Sequence, residues 1–490
     1  MAGLLDTIYR RSPTSLQHVW VSAYGWYWHR LRFSGSYPAM VRAFRERDRF
    51  DAGQLRRYQT EQLRRLLVHA YDHVPHYREA WRTVVERPQL ERFQPEDLVY
   101  LPPLEKETVR SRPESLLVDG RRQKSQIVVH TSGSSGTPLR IHLLREEART
   151  SLAVREVRSC GPAGVGFARP RATFSGRVVV PDPQSPGPFH RYNAVERQVY
   201  FSAFHLSRRT APTYVAALRR HRTVWMTGYA SSIHELARLA LEAGLEPGRE
   251  LPTLEAVITT LEALTRPMRS VIAEAFGARV FEEYSSVENA FFASENEHGQ
   301  LLSSSDFGIL ESVDHRLRPQ AAGVPGVALA TGLTRFGQPL IRFRVGDLVT
   351  LSDRPALCGR PLPVLESVVG RLDDTVYAPD GRRLVRFNRI FLDLPGVREA
   401  QVVQEALDRI RVRVVGTEAF GEPCGREIQR RVARALGPSV RIEIEPVPSI
   451  ERTAAGKMRA VVSRLTPEEI QRVVDTGTAH RDVDAALADE

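Results

Sequence analysis

The sequence predicts a two-domain α/β protein, with a large multi-layer N-terminal domain followed by a small α+β domain. Three observations predict this fold class. The chain has 490 residues, which is too long for one compact core. Strand-like and helix-like runs alternate from Leu101 onward, as in a sheet with helices packed on it. The composition then changes near Gly370-Arg-Leu-Asp-Asp374, and roughly ninety residues of mixed pattern follow.

Residues 1–95 are predicted to be a helical region that packs on the large domain, because apolar residues recur at helical spacing from Leu55 to Leu67. Within it, the segment Val21–Phe33 is both aromatic and basic. A helix lying on a membrane surface is one interpretation of this segment. An arm whose aromatic rings cover the body of the protein is the favoured one, since Tyr and Trp commonly bury their rings and keep one polar tip in water.

Residues 96–371 are predicted to form the α/β core that binds nucleotide and substrate. Strands are predicted over 171–176, 177–180, 224–229, 254–260 and 278–284, and helices over 212–220, 231–243 and 267–276. Ligands of such domains bind where strands end and loops begin. Three polar clusters fall at predicted strand ends, and they are Thr227-Gly-Tyr229, Thr259-Thr-Leu-Glu262 and Tyr284-Ser-Ser-Val-Glu288.

A glycine- and hydroxyl-rich loop, Thr131-Ser-Gly-Ser-Ser-Gly-Thr-Pro138, follows the apolar run Ile127–Val129. Its glycines allow close backbone approach, and its amide and hydroxyl hydrogens suit several phosphate oxygens. It lacks the lysine of a Walker loop. Taken alone, the loop is equally well explained as a surface connection, and the other motifs favour the phosphate-binding interpretation.

Residues 372–466 are predicted to form the small domain, and residues 467–490 a last helix with a charged tail. The small domain contains a predicted turn at 380–381, a short helix over 386–394, strands over 400–404, 410–415 and 441–445, and a helix over 422–436. It ends in the polar loop Ile450–Arg459, in which a glycine precedes Lys457.

The net charge of +11 comes almost entirely from scattered arginines, many of them next to acids. A solvated surface explains most of this charge, and no nucleic-acid partner is expected because no dense basic stripe alternates with aromatic residues. Among 69 basic residues only Lys106, Lys124 and Lys457 are lysines. A lysine kept in so arginine-rich a chain marks a place where a compact ammonium is needed, which makes Lys457 a candidate functional residue.

The sequence also excludes some classes of protein. It has no run of eighteen apolar residues, and its N-terminus lacks the order of charge, apolar run and cleavage site of a signal peptide, so a cytoplasmic location is expected. Its three cysteines, Cys160, Cys358 and Cys424, are far apart. Reduced thiols are therefore expected, and a zinc site is not.

Four stretches in fixed order resemble the signature of the adenylate-forming superfamily, which contains acyl-CoA synthetases, peptide-synthetase adenylation domains and luciferases. They are Thr131–Pro138, Tyr284–Glu288, Arg342-Phe-Arg-Val-Gly-Asp-Leu348 with Gly370–Asp373, and Arg452-Thr-Ala-Ala-Gly-Lys457. The first loop lacks the lysine that most of the superfamily carries just after its proline. With this lysine missing, with the segment Leu101-Pro-Pro-Leu-Glu-Lys-Glu107 and with the Ser285-Ser-Val-Glu288 form of the second stretch, the chain resembles the phenylacetate-CoA ligase branch and its relatives in capsule biosynthesis.

The resemblance implies an ATP- or AMP-binding site formed by Thr131, Ser132, Gly133, Ser134, Ser135, Gly136, Thr137, Tyr284, Ser285, Asp347 and Arg371. The loop would hold the β- and γ-phosphates, and the ring of Tyr284 would stack on adenine. Asp347 would accept hydrogen bonds from the ribose hydroxyls, as a carboxylate can. Arg371 would contact the nucleotide or the hinge. A turn residue for Asp347 and a plain salt bridge for Arg371 are the alternatives.

Three further roles are implied by the same resemblance. Glu288 would ligate Mg²⁺, a hard ion that favours carboxylate and phosphate oxygens. Asp373 would be the hinge of a mobile small domain. Lys457 would enter from that domain and contact both the substrate carboxylate and the α-phosphate, for which a point charge on a flexible stem is suited. The alternatives are a surface acid for Glu288 and an exposed loop lysine for Lys457.

The function implied is an ATP-dependent ligase that converts a carboxylic acid into an acyl-adenylate and pyrophosphate, and then transfers the acyl group. The cofactors implied are ATP and Mg²⁺, with CoA as the default acceptor. An amine acceptor, giving an amide, is the alternative. A non-catalytic basic binding protein on the same fold is an alternative of another class, and a homodimer is left open.

Overall fold

A computed structural model gives the structure of residue 9 and of residues 12–131, 139–175, 179–180, 185–203, 205–371, 375–385, 387–391, 394, 396–451, 458–475 and 480–482. The large N-terminal domain is built on a mixed sheet of 12 strands, and the small C-terminal domain on a sheet of four strands. Among the described residues, no helix is both long enough and apolar enough to cross a membrane.

The helices and strands follow the chain in this order. The α-helices are α1 (Thr14–Phe33), α2 (Tyr37–Arg47), α3 (Ala52–His73), α4 (Pro75–Trp81), α5 (Arg87–Leu90), α6 (Lys106–Ser111), α7 (Arg145–Arg155), α8 (Ala211–Arg220), α9 (Ala230–Glu242), α10 (Pro247–Glu250), α11 (Arg266–Phe276), α12 (Glu422–Leu436) and α13 (Pro467–Asp475). The strands of the large domain are β1 (Gln126–His130), β2 (Arg140–Leu144), β3 (Arg171–Ser175), β4 (His190–Asn193), β5 (Gln198–Ser202), β6 (Trp225–Gly228), β7 (Ala256–Thr259), β8 (Arg279–Ser285), β9 (Phe292–Glu295), β10 (Leu301–Ser303), β11 (Ile309–Val313), β12 (Gly326–Thr331), β13 (Phe343–Leu351) and β14 (Val364–Arg371). The remaining strands are β15 (Val376–Tyr377), β16 (Arg383–Val385), β17 (Val397–Ala406), β18 (Arg409–Gly416), β19 (Arg441–Pro446), β20 (Val461–Ser463) and β21 (His480–Asp482).

The large sheet has the strand order β11-β12-β13-β14-β10-β9-β8-β7-β6-β3-β5-β4. The run from β5 to β8 is parallel, and the strands on either side of it pair antiparallel. Gly228 of β6 lies beside Thr259 of β7, and Thr259 lies beside Glu282 of β8. The carboxyl ends of these three strands therefore meet at one edge, where the three polar clusters of the sequence analysis lie.

The helical N-terminal region shares one hydrophobic core with the antiparallel half of the large sheet. Leu63, Leu66 and Leu67 on α3 belong to the same buried cluster as Ile341 and Phe343. A capping box between Asp51 and Gln54 fixes where α3 begins, with Gln54 N donating to Asp51 Oδ1 at 2.7 Å. The core thus continues from α3 into the strands that carry Asp347.

Helix α1 differs from the favoured interpretation of its aromatic segment. It packs on β4, but Trp20, Tyr24, Trp26 and Tyr27 are exposed. Trp20 lies just before the segment Val21–Phe33, and for the other three residues the prediction that the aromatic rings cover the body of the protein is wrong. The reason is that polar and small residues, among them Gln17 and Gly25, occupy the buried face instead.

Two smaller differences concern local structure. The strand predicted over 177–180 is not seen in its described part, where Val179 and Val180 form a bend. In the small domain a 3-10 helix, Phe387–Phe391, lies within the range predicted for a short helix. The paired strands β17 and β18, with β19 and β20 at the edges, form the small sheet on which α12 packs. The boundary between the domains at residues 371 and 372 stays a prediction.

Candidate functional site

The site is formed where β8 and β13 meet. The Tyr284 hydroxyl at the end of β8 donates a hydrogen bond of 2.8 Å to Asp347 Oδ2 on β13. Three strands, β9, β10 and β14, separate β8 from β13 in the sheet, which in a flat sheet would place them roughly 19 Å apart. The sheet must therefore curl strongly so that the two predicted site residues touch.

The side chains of Tyr284 and Asp347 are also fixed by their other neighbours. The ring of Tyr284 packs on Phe291 with centroids 4.6 Å apart. Asp347 lies directly opposite Arg371 in the antiparallel pair of β13 and β14. The backbone of Arg371 is thus next to Asp347, while its side chain lies outside the described part. The predicted adenine-stacking and ribose-binding roles stay predictions.

Lys106 lies over the backbone beside Asp347. Gly346 has a φ of 85°, and a Cβ atom built on it would collide with the Lys106 ammonium group. Leu104 brings the lysine there, because Leu104 N donates to Arg342 O at 3.1 Å and Leu104 O accepts from Arg344 N at 3.0 Å. One of the three lysines of the chain is therefore held next to the predicted ribose-binding carboxylate.

Glu288 lies in the turn that joins β8 to β9. The residue is 8% exposed, and its carboxylate makes no hydrogen bond or ion pair with any other described residue. Arg335 is close by and fully buried, and it pairs with Glu147 at 3.3 Å. Burial lowers the pKa of Arg335, and the carboxylates of Glu147 and Glu288 act in the opposite direction. A buried carboxylate that forms no hydrogen bond with the described residues fits the chemistry of an Mg²⁺ ligand.

Two other predicted residues have structural contacts. The Ser285 hydroxyl donates to Glu283 Oε1 at 3.0 Å. Thr131 closes the base of the predicted phosphate loop, because its Oγ1 accepts from Leu139 N at 2.9 Å and its own N donates to Leu139 O at 3.2 Å. The loop therefore joins the two strands of the β1–β2 hairpin. The hydroxyl hydrogen of Thr131 is not used by this contact.

Two hydroxyl groups at the same edge of the sheet have no hydrogen-bond partner among the described residues. They are Thr227 Oγ1 on β6 and Ser286 Oγ, and both atoms are buried. Burying a hydroxyl without a hydrogen-bond partner costs free energy unless a ligand or a water molecule forms the missing hydrogen bond. These groups fit a site that binds a polar ligand.

The other predicted residues, which are Ser132, Gly133, Ser134, Ser135, Gly136, Thr137, Asp373 and Lys457, lie outside the described residues. Their roles stay predictions. In the part of the chain that the structure describes, no three His, Cys, Asp or Glu side chains form a metal-binding group. A magnesium ion bound through one carboxylate and phosphate oxygens needs no such group.

The sequence predicted no individual role for Lys106, and it indicated Thr227 and Ser286 only as members of polar clusters at predicted strand ends. The scarcity of lysine pointed to Lys106, but only the pairing of Leu104 with β13 shows which residue it lies beside. No sequence signal indicates that the hydroxyls of Thr227 and Ser286 lack partners among the described residues, because that depends on their three-dimensional neighbours.

Comparisons with known proteins show which chains this one is similar to. A family model described as the CapK C-terminal domain matches residues 376–464. Protein CapK of Staphylococcus aureus is 24% identical over 469 residues, which cover 94% of this chain and 100% of that protein. Phenylacetate-coenzyme A ligase of Thermus thermophilus is 24% identical over 440 residues, which cover 84% of this chain and 96% of that protein.

Among solved structures, 2-hydroxyisobutyryl-CoA ligase in the postadenylation state matches with a TM-score of 0.64 and 22% identity. The match covers 85% of this chain and 91% of that one. The fold class and the resemblance stated from the sequence are both confirmed.

Proposed function

This chain is a relative of the adenylate-forming ligases, in the CapK-like and phenylacetate-CoA ligase-like branches, and on that premise we propose that it activates a carboxylic acid with ATP. The acid would attack the α-phosphate, which gives an acyl-adenylate and releases pyrophosphate. An acceptor would then take the acyl group and release AMP. The acceptor proposed first is CoA, and an amine is the alternative.

The observation that carries this proposal is the hydrogen bond between Tyr284 and Asp347. It joins two of the four stretches on which the resemblance rests. The carboxylate of Asp347 is suited to accept hydrogen bonds from ribose hydroxyls, and the hydrogen bond from Tyr284 orients it. The buried hydroxyls of Thr227 and Ser286 provide further donors at the same edge.

Charge neutralisation is the main requirement of the first step, because a carboxylate must approach a polyphosphate. Glu288 would hold Mg²⁺ together with phosphate oxygens, and the bound ion would supply positive charge next to the phosphates. Lys106 would add a positive charge on the Asp347 side. Lys457 would contact the substrate carboxylate and the α-phosphate from the small domain.

The names of two of the compared proteins, a phenylacetate-coenzyme A ligase and a 2-hydroxyisobutyryl-CoA ligase, support CoA as the acceptor. The CapK relative covers more of this chain and carries no acceptor in its name. The amine alternative is therefore tested beside CoA.

A panel of carboxylic acids, with pyrophosphate release as the readout, tests the first step. At least one acid should stimulate release with Mg-ATP. Asp347→Ala should abolish that stimulation and the binding of Mg-ATP, whereas Asp353→Ala, an exposed aspartate in the same region, should behave as the wild type. No stimulation by any acid, together with no Mg-ATP binding, would contradict the proposed function.

Lys457 is tested separately because its role belongs to the chemical step. Lys457→Ala should nearly abolish acyl-adenylate formation and leave Mg-ATP binding close to normal. Lys457→Arg should fail too, since a planar fork cannot replace a point charge between two oxygens. Lys124→Ala, at an exposed lysine, is the matched control. Normal adenylation by Lys457→Ala would remove this lysine from the mechanism.

The acceptor is identified by adding CoA or a set of amines to the enzyme with its preformed acyl-adenylate. Faster AMP release with CoA and a thioester product would support the proposed acceptor. Faster release with an amine only, with an amide product, would replace it by the alternative.

A further inference from the structure

The outward face of α1 is a continuous apolar and aromatic surface. From Leu16 to Tyr27, every position that is exposed carries an apolar or aromatic side chain. These positions, which we call the α1 aromatic face, are Leu16, Val19, Trp20, Ala23, Tyr24, Trp26 and Tyr27. An aromatic side chain contributes about 150–250 Å², so four half-exposed rings leave roughly 300–500 Å² of them in water. Patches of this size commonly mark an interaction site.

The inward face of α1 is polar, and it holds the helix on the edge strand β4. Arg191 Nε donates to Gln17 Oε1 at 2.6 Å, and Tyr192 N donates to His18 Nδ1 at 2.9 Å. Gly25 lies so close to Asn193 that a Cβ atom would collide with the Asn193 amide. The polar side of α1 therefore supplies hydrogen-bond partners to the edge strand β4 and covers it. In this orientation the aromatic face of the helix points outward.

The charge around α1 selects one kind of partner. Residues 7–45 contain six arginines and no Asp or Glu, although the chain has 58 acidic residues. The exposed Arg30 lies 5.3 Å from the ring centroid of Trp26, and Arg32 lies 5.0 Å from that of Trp28. The positive charges thus lie at the level of the aromatic rings. A second copy of this chain would bring the same acid-free segment against its own, so like charges would repel.

A surface of anionic lipid is complementary to this face. Trp and Tyr prefer the level of the lipid headgroups, and arginines beside them attract anionic lipid. We propose that α1 lies in the headgroup region of an anionic bilayer, with the α1 aromatic face inserted and its axis along the surface. The helix then anchors the ligase to a membrane surface without crossing it.

The proposed anchor is separate from the candidate nucleotide site. Helix α1 lies on β4 at one edge of the large sheet, and β8 is five strand spacings away, or roughly 24 Å along the sheet. Substitutions on the α1 aromatic face are therefore expected to leave pyrophosphate release unchanged, which makes activity a control for folding.

Co-sedimentation of the full chain with vesicles tests the proposal. The wild type should bind vesicles of equal parts phosphatidylglycerol and phosphatidylcholine and should not bind vesicles of phosphatidylcholine alone. Trp20→Ser with Tyr24→Ser should weaken the binding about tenfold or more, because two inserted rings are lost. The matched control is Tyr100→Ser with Leu357→Ser, which removes two side chains that are 69% and 72% exposed elsewhere and should leave the binding unchanged.

The charge contribution is tested in the same assay. Arg30→Gln should weaken binding severalfold, and Arg249→Gln, at another exposed arginine, should not. Absence of wild-type binding to the anionic vesicles would overturn the proposal. Equal losses of vesicle binding in the α1 variants and their controls would also overturn it. Light scattering provides a third outcome: if the wild type is a dimer and Trp20→Ser with Tyr24→Ser is a monomer, the α1 aromatic face binds a second copy of the chain instead of lipid.

Discussion

Substitution of Glu147 should destabilise the large domain much more than substitution of the adjacent Glu146. Its carboxylate is buried and accepts hydrogen bonds from Leu144 N at 2.8 Å, Phe336 N at 2.7 Å and Gly337 N at 2.7 Å. It also pairs with Arg335 at 3.3 Å. Four donors therefore converge on one carboxylate, which ties α7 and the β1–β2 hairpin to the segment before β13.

Glu147→Gln keeps the shape of this side chain but removes its charge. One carboxylate oxygen becomes an amide NH₂ group. Because both carboxylate oxygens accept hydrogen bonds, this NH₂ group would face N–H donors in either orientation of the amide. Arg335 is fully buried, so it would lose its ion-pair partner where water cannot replace it. Removing one member of a buried ion pair costs about 3–5 kcal/mol. We expect a loss of that size in the free energy of unfolding.

Urea unfolding, followed by tryptophan fluorescence and circular dichroism, measures this loss. Glu146→Gln is the matched control, because Glu146 is the adjacent residue and its side chain is 54% exposed where it pairs with Arg149. An exposed pair contributes about 0–1 kcal/mol. Equal losses in the two variants would refute the reasoning. Adding Arg335→Met to Glu147→Gln should recover part of the loss, and strictly additive losses would show that the ion pair is not its source.

Three further predictions concern the site and the docking of α1. Tyr284→Phe should raise the Kd of Mg-ATP about tenfold in calorimetry, because a hydrogen bond to a charged group is worth about 1.5–3 kcal/mol and Asp347 loses one. Gly346→Ala should lower the stability by about 1–2 kcal/mol through its positive φ, and should also weaken Mg-ATP binding by displacing Lys106. Burial, followed by neighbouring charges, lowers the pKa of His190 to about 4 from 6.5. The His190 imidazole therefore binds a proton more tightly in the unfolded chain than in the folded protein. The stability that neutral His190 contributes is therefore present above pH 6.5 and lost as the pH falls toward 4, and His190→Asn should flatten that part of the stability profile.

Each of these predictions has a matched control. Tyr100→Phe changes an exposed tyrosine and should leave the Kd unchanged. Gly359→Ala introduces a Cβ at a φ of 76° with no neighbour within 4 Å, so it should cost stability without affecting Mg-ATP. His298→Asn changes an exposed histidine and should keep the pH profile of the wild type. Equal effects in a variant and its control would contradict the corresponding prediction.

Much of the fold could be predicted from local pattern. The helices α8, α9, α11 and α12 and the strands β6, β7, β8 and β18 lie within a few residues of the predicted ranges. Alternating apolar residues and glycine or proline boundaries act within a few residues of the chain, so periodicity is enough to predict such elements. The polar cluster at Tyr284–Glu288 was placed correctly at a strand end for the same reason.

The contact between Tyr284 and Asp347 could not be predicted in this way. The two residues are 63 positions apart, and their strands are separated by three others in the sheet. Only the curl of the sheet brings them together, and curl results from twist accumulated over many strands. The family resemblance implied that both residues belong to a nucleotide site, which stays a prediction, and the tertiary structure showed which of their atoms meet.

The orientation of α1 shows most clearly which features the sequence could predict and which depended on the tertiary structure. The sequence by itself predicted that residues 1–95 are helical and that the segment Val21–Phe33 is rich in aromatic and basic side chains. It could not determine which side of that helix faces the protein, because the usual rule buries the apolar side. Here an edge strand presents Arg191 and the backbone of Tyr192, which need hydrogen-bond partners. Gln17 and His18 supply them, so polar pairing with β4 decided the orientation and left the aromatic side in contact with water.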